Sequence, residues 1–374
     1  MSYRSVDSLQ RVLSDEVFNY AEDRKKAAGR ALGTLVELIT FYTLCAWDLR
    51  NHVIIERSIP EFANPSISHN VEFSLHPLRR TQDIRLDAVR GPVSNSKIGR
   101  ILSEPGLTVR PGQLVTTDRV IRNACILGES GNEILVTNVD VLSENRCDLT
   151  LCRLLDHPFA IVECKRVGVE EGMKKGPQTI EKAKQGAYVA RSVSSLQKVR
   201  MRNGRYQGIL EGPDGALRME PYSSLLRDII DGKDPALLRD FILTVGVVSN
   251  HGNWFTSDNQ NKELRVLAQS YDWLLFLTDS GLSWFVERLL LHPPPDLLPA
   301  RAAFLASYAG KSGANRFTKV RIDADADQAL RRYFTLHGAE IEGWFSVIAP
   351  KSNDVTALRH DLLTLAGKNW KGIS

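Results

Sequence analysis

Residues 147–155, CDLTLCRLL, are followed by the turn Asp156-His157-Pro158 and by residues 159–167, FAIVECKRV. Both runs have the apolar and β-branched composition of strands, and the turn between them predicts a hairpin. Because alternate residues of a strand share a face, Glu163 and Lys165 point the same way. The predicted hairpin would bring Asp148 beside them.

The two carboxylates and the lysine of this hairpin suggest a chemistry. Two carboxylates at one point suit a hard divalent cation such as Mg²⁺, and an adjacent lysine can orient an attacking water. Such a set suits metal-assisted cleavage of a phosphodiester. The plainer alternative is a Glu163–Lys165 pair on a strand edge. Asp140, in the strand-like residues 133–142, is a rival for the first acid, but Asp148 directly precedes the hairpin.

The constellation of Asp148 with Glu163-Cys164-Lys165 resembles the PD-(D/E)xK nuclease superfamily, which includes most type II restriction endonucleases. The resemblance covers roughly residues 30–250, and Cys147 stands where the family's short name has proline. It implies an α/β fold with a restriction-endonuclease-like core, a mixed central β-sheet flanked by helices, extended by α+β regions. It further implies that Asp148 and Glu163 hold Mg²⁺, with Mn²⁺ as a substitute. The Cys164 carbonyl would be a further ligand, and Lys165 would position the water.

Glu37 is the only charged residue between Arg30 and Asp48, in a segment whose apolar residues recur with the helical period. A carboxylate in apolar surroundings is costly unless it is paired with a cation or a hydrogen-bond donor. Glu37 therefore reads equally well as a salt-bridged helix residue or as a further acid beside the metal. The superfamily often supplies such an acid from the helix that precedes the sheet.

The residues that follow the acidic triplet are basic. Residues 165–205 contain eleven Lys and Arg and three acids, whereas the whole chain has a net charge of only +4. This segment is either a solvated helix face or a surface for DNA phosphates, and its position next to the predicted site favours phosphates. The candidate DNA-binding residues lie in this segment and in the loop after the strand-like residues 241–248: Arg166, Lys174, Lys175, Lys182, Gln185, Asn250, His251 and Asn253.

Composition narrows the class of protein. The 374 residues are 43% hydrophobic and 25% charged, which is ordinary for a globular chain. The five cysteines contain no C-x-x-C pair, so we expect neither a zinc site nor a disulfide framework but a reducing cytoplasm. The N-terminus is polar, and the one long apolar run, residues 31–47, is short for a membrane span. No phosphate-binding G-x-x-x-x-G-K-[ST] loop is present, which argues against a fused ATPase.

We predict four regions: N-terminal helices at 1–50, a strand and a loop-rich insertion at 51–120, the catalytic core at 121–255, and a C-terminal recognition or dimerisation region at 256–374. The leading prediction is a Mg²⁺-dependent, site-specific endonuclease that cuts double-stranded DNA to 5′-phosphate and 3′-hydroxyl ends, as the resemblance implies. A homodimer would cut both strands of a palindrome, and a cognate DNA methyltransferase would belong to the same system without being a physical partner. A structure-specific repair or recombination nuclease and a DNA-binding protein without catalysis remain as alternatives.

Overall fold

Four β-sheets and their flanking helices form a mixed α/β protein in the computed structural model, which describes residues 6–87, 91–167, 177–212, 214–250, 262–308 and 317–370. The helices are α1 (Val6–Val12), α2 (Arg24–Ala46), α3 (Asn95–Leu102), α4 (Pro177–Ser192), α5 (Tyr222–Asp231), α6 (Lys262–Ser270), α7 (Asp279–Val286), α8 (Leu298–Tyr308), α9 (Ala324–Leu336), α10 (Gly338–Glu342) and α11 (Val355–Ala366). Single turns of 3₁₀ or π-helix lie at Leu13–Val17, Arg50–His52, Pro235–Leu238, Glu287–Leu291 and Pro295–Leu297.

The strands are β1 (Val53–Glu61), β2 (Asn64–Leu75), β3 (Leu78–Asp87), β4 (Val93–Ser94), β5 (Thr108–Val109), β6 (Gln113–Val115), β7 (Val120–Ile121), β8 (Cys125–Ser130), β9 (Glu133–Leu142), β10 (Arg146–Leu155), β11 (Ala160–Val167), β12 (Gln197–Arg200), β13 (Tyr206–Glu211), β14 (Leu217–Pro221), β15 (Leu243–Asn250), β16 (Trp273–Leu277), β17 (Ile322–Asp323) and β18 (Phe345–Ala349). The predicted α/β class is therefore confirmed.

The central sheet has six strands in the order β1-β2-β11-β15-β16-β18. Strands β1, β2 and β11 run antiparallel, β11, β15 and β16 run parallel, and β18 closes the sheet antiparallel to β16. Strand β16 and the first residues of β11 and β15 are mostly apolar, as expected for parallel strands with helices on both faces. Val162 of β11 packs into the core on the α2 side, and Ile161 packs against Val189 of α4 on the other.

The second sheet, β3-β10-β9-β8-β5, is entirely antiparallel and corrects the predicted hairpin. Strand β10 pairs with β3 and β9, whereas β11 pairs with β2 and β15. The two strands that the sequence places in one hairpin thus lie in different sheets. The chain passes from the central sheet to the second sheet between β2 and β3, at His76-Pro77, and it passes back between β10 and β11. Strand β2 therefore pairs with β11 in the central sheet, and β3 pairs with β10 in the second sheet.

Residues 51–120 are also less irregular than their prolines suggest. Strands β1 and β2 form a long hairpin, and β3 extends it into the second sheet. Pro60 lies at a register irregularity of β1, the edge strand of the central sheet, and Pro65 lies near the beginning of β2. Edges, strand ends and bulges are the places where a sheet tolerates proline.

Two smaller sheets complete the described structure: β12-β13-β14, which packs on α5, and β17-β7-β6-β4. Strand β17 comes from the C-terminal region and pairs with β7. Just before β17, Lys319 contacts Glu56 of β1 and Glu72 of β2. The five cysteines are free, and the helices in the described ranges include none that is long and apolar enough to cross a membrane.

Candidate functional site

Glu163 and Lys165 form the centre of the candidate site, as the strand alternation predicts. Lys165 Nζ lies 3.1 Å from Glu163 Oε2, and the Glu163 side chain is only 3% exposed. Helix α4 reaches this pair through Gly186: a Cβ there would lie 2.7 Å from the Tyr271 hydroxyl and within 4 Å of both charged side chains. A side chain larger than hydrogen at this position would have to displace the Tyr271 hydroxyl.

Glu72 of β2 is the second carboxylate at this point, and the sequence analysis did not find it. Val162 pairs with Phe73 across the antiparallel ladder, which aligns the next residue pair. The Glu72 backbone N–H donates to Glu163 Oε1 at 3.2 Å, and Lys165 Nζ lies 3.7 Å from Glu72 Oε1. The available signal was a lone acid between the apolar residues Val71 and Phe73 of one strand-like run.

Glu37 and Lys319 complete the cluster from outside the sheet. Lys319 Nζ lies 3.0 Å from Glu37 Oε2 and 3.4 Å from Glu56 Oε1, and it also contacts Glu72 Oε2. Glu37 is therefore salt-bridged to Lys319 and also lies near the Glu72 carboxylate, so both readings of Glu37 from the sequence stay open. No sequence signal marked Lys319, which lies 282 residues after Glu37.

Burial and neighbouring charge set the electrostatics of the cluster. Burial raises the pKa of Glu163, an effect that Lys165 opposes. Burial and the Glu72 carboxylate raise the pKa of Glu37. Burial alone would lower the pKa of Lys319, but Glu37 and Glu72 outweigh it and raise that pKa. Both lysines therefore stay protonated, and this holds the carboxylates together.

Asp148 lies elsewhere, and the expectation that it sits beside Glu163 is wrong. It belongs to β10 of the second sheet, where it pairs with Arg85 and Val141. Arg146 Nε donates to Asp148 Oδ1 at 2.7 Å, and this hydrogen bond lowers the pKa of the carboxyl group. The rival Asp140 also lies in the second sheet and is bound by Arg50. Neither aspartate joins the cluster, because their strands never pair with β11.

The predicted DNA-binding residues are only partly described. Gln185 is exposed on α4, one turn from the Tyr188 ring, which lies against His69. Asn250 ends β15, where it pairs in parallel with Val167 at the end of β11. The side chains of Arg166 and Lys182, and all of Lys174, Lys175, His251 and Asn253, lie outside the described residues.

The donors of the cluster suit a hard cation in kind, since all are carboxylate oxygens. Within the described ranges, however, no three His, Cys, Asp or Glu side chains are arranged as a ready metal site. The ammonium of Lys319 instead lies between Glu37 and Glu72. Comparisons with protein-family models, curated proteins and solved structures find no match to this chain.

Proposed function

We propose that the chain is a metal-dependent DNA endonuclease of the PD-(D/E)xK type, in which Glu72 takes the role that the sequence assigns to Asp148. One observation carries the proposal: Glu163 and Lys165 on one strand meet Glu72 on the antiparallel neighbour and Glu37 from α2. Buried charges gathered at one place cost stability unless they serve one another or a ligand.

Each residue of the cluster has a role in this proposal. Glu72 and Glu163 would hold the divalent ion, Mg²⁺ or Mn²⁺, with Glu37 assisting from α2. When bound, the ion supplies a Lewis acid for the phosphate oxygen. Lys165, which contacts both strand carboxylates, would orient the attacking water and offset the charge that develops on the phosphate. Helix α4 excludes bulk water from one side of the site.

The order of elements along the chain supports the same family. An acid-bearing helix, α2, precedes the sheet, and a second helix, α4, flanks the site directly after the strand of the Glu-x-Lys pair. The basic residues 165–205 would contact phosphates, and Gln185 is exposed on the helix beside the site. Site-specific cleavage of duplex DNA by a homodimer, to 5′-phosphate and 3′-hydroxyl ends, is the finer form of the proposal.

The test is cleavage of phage-sized duplex DNA by the purified protein with Mg²⁺. We expect discrete fragments from the wild type and, for Glu163→Gln and Glu72→Gln, a loss of about a hundredfold or more, as for disruption of a metal centre. Asp148→Asn is the matched control and should keep its activity, because its partner is Arg146 and not the cluster.

Other cleavage results would contradict parts of the proposal. Loss of cleavage in Asp148→Asn but not in Glu72→Gln would refute the assignment of Glu72. A smear would indicate a repair-type or non-specific nuclease on the same core. Intact DNA in every lane, with Mg²⁺ and with Mn²⁺, would refute catalysis and leave a DNA-binding protein.

A further inference from the structure

Lys319 holds the position between the carboxylates where a cation would be expected. It belongs to residues 317–321, between α8 and β17, and its side chain is only 8% exposed. Its ammonium touches Glu37 of α2, Glu56 of β1 and Glu72 of β2. One positive charge from the C-terminal region therefore joins carboxylates of three separate elements.

The carboxylate oxygens are arranged for this one charge. Glu72 Oε2 is buried and accepts no hydrogen bond among the described residues, and it forms an ion pair with the Lys319 ammonium. An ammonium donates to carboxylate oxygens at about 2.8 Å. Mg²⁺ binds such oxygens at about 2.0–2.1 Å and repels a nearby cation. Lys319 and a divalent ion thus exclude each other from the space between Glu37 and Glu72.

We propose that Lys319 occupies the cation position beside Glu37 and Glu72, and that the divalent ion binds Glu72, Glu163 and Glu37 only when this ammonium withdraws. The inference rests on the proposed nuclease, because that activity needs the ion. It adds that the C-terminal region controls metal access to the site.

The charge of the whole cluster supports an exchange. With all groups ionised, the four carboxylates of Glu37, Glu56, Glu72 and Glu163 exceed the two lysine ammonium groups by two charges. When the Lys319 ammonium withdraws, the excess rises to three charges. A divalent ion in its place lowers the excess to one, because it brings twice the charge of the ammonium that it displaces. Withdrawal of Lys319 without a metal, by contrast, would leave buried carboxylates facing one another.

The test is a titration with Mn²⁺ alone, without DNA, in which the electron paramagnetic resonance signal reports the free ion. We expect Lys319→Met to bind Mn²⁺ about tenfold or more tightly than the wild type, the factor for removing one partly buried competing charge. Lys319→Arg keeps the charge and should bind no more tightly than the wild type. Glu56→Gln loosens the hold on Lys319 but leaves Glu37 and Glu72 intact, so a smaller increase is expected.

Thermal unfolding provides a second readout that does not depend on activity. Without metal, Lys319→Met should unfold at a lower temperature than the wild type, because its carboxylates have lost their counter-charge. Mn²⁺ should raise its unfolding temperature by more than it raises that of the wild type. If Lys319→Met does not fold, the Glu56→Gln titration still decides.

The results separate the two proposals. Unchanged or weaker Mn²⁺ binding in both Lys319→Met and Glu56→Gln would overturn the role of Lys319, whether or not the protein cuts DNA. Tighter Mn²⁺ binding with intact DNA would refute the nuclease and leave the occupant role standing. Loss of cleavage in Lys319→Met with unchanged Mn²⁺ affinity would make Lys319 a catalytic lysine and overturn the inference.

Discussion

Asp272 is expected to stabilise the protein more as the pH falls, the opposite of an acid such as Asp148, whose pKa is lowered in the folded protein. Its side chain is buried beside β15, where Oδ2 accepts from the Thr244 backbone N–H at 2.8 Å and from its hydroxyl at 2.9 Å. Tyr222 donates to Oδ1, and Lys198 is the nearby cation. Burial outweighs these contacts and raises the pKa of Asp272 from 3.8 to about 6.

The sign and size of the effect follow from linkage. The folded protein binds this proton more tightly than the unfolded chain does, so acidification stabilises the fold. The contribution of Asp272 protonation to the free energy of unfolding is fully present below pH 3.8 and is lost as the pH rises through 6. When the pH falls from 7.5 to 4.5, this proton uptake increases the free energy of unfolding by about 2 kcal/mol. The full shift in the pKa corresponds to a maximum of about 3 kcal/mol.

The assay is urea unfolding, followed by tryptophan fluorescence, at pH 7.5, 6.0 and 4.5 for the wild type and Asp272→Asn. Other groups titrate as well: burial lowers the pKa of His76, which opposes the effect because acid then favours the unfolded chain. The free energy of unfolding is therefore compared between wild type and variant at each pH. The difference should change by about 2 kcal/mol across the range.

Tyr222→Phe sharpens the test of Asp272. The carboxylate then loses a donor, its pKa rises further, and the dependence on pH should grow. An Asp272→Asn variant whose free energy of unfolding changes with pH as much as that of the wild type would refute the reasoning. So would a Tyr222→Phe variant with a smaller dependence.

Further predictions concern the Arg227–Asp361 ion pair and the packing at two glycines. Arg227 donates to both carboxylate oxygens of Asp361, at 2.7 and 2.5 Å, and Asp361 is 1% exposed. Arg227→Met should cost less than the roughly 3–5 kcal/mol of a fully buried pair, because Arg227 is 43% exposed and the Trp273 indole still donates to Asp361 Oδ2 at 3.1 Å. Asp361→Asn should cost less than Arg227→Met because the arginine regains water; equal losses in urea unfolding would contradict this. Gly246→Ala places a Cβ 2.8 Å from the Tyr271 ring and should cost about 1–3 kcal/mol. In contrast, Gly33→Ala in α2, with no atom within 4 Å, should be neutral or stabilising by thermal unfolding.

Local sequence patterns predicted those features of the site that are set by residues close together in the chain. Alternation in β11 placed Glu163 and Lys165 on one face, and their ion pair confirms it. Glu37 was singled out because it is the only charged residue between Arg30 and Asp48. Pro177 marked the first residue of α4, where a helix tolerates a missing N–H.

The error over Asp148 arose because strand pairing is not local. Sequential strands usually pair, which favoured a hairpin of β10 with β11. In this fold the antiparallel partner of β11 is β2, and the backbone N–H of Glu72 donates to a carboxylate 91 residues later in the chain. No periodicity or turn signal reports a pairing over that distance. The same holds for Lys319, whose neighbours in sequence carry no sign of an acidic cluster.

The long separations within the site also set when it can form during synthesis. Residues 72 and 163 are 91 positions apart, and Glu37 and Lys319 are 282 apart. At a ribosomal rate of about 5–20 residues per second, roughly 5 to 20 s pass between the appearance of the two strand carboxylates. The acids are thus translated well before the lysine that neutralises them. A nascent chain that ends before residue 319 would carry the carboxylates without this lysine.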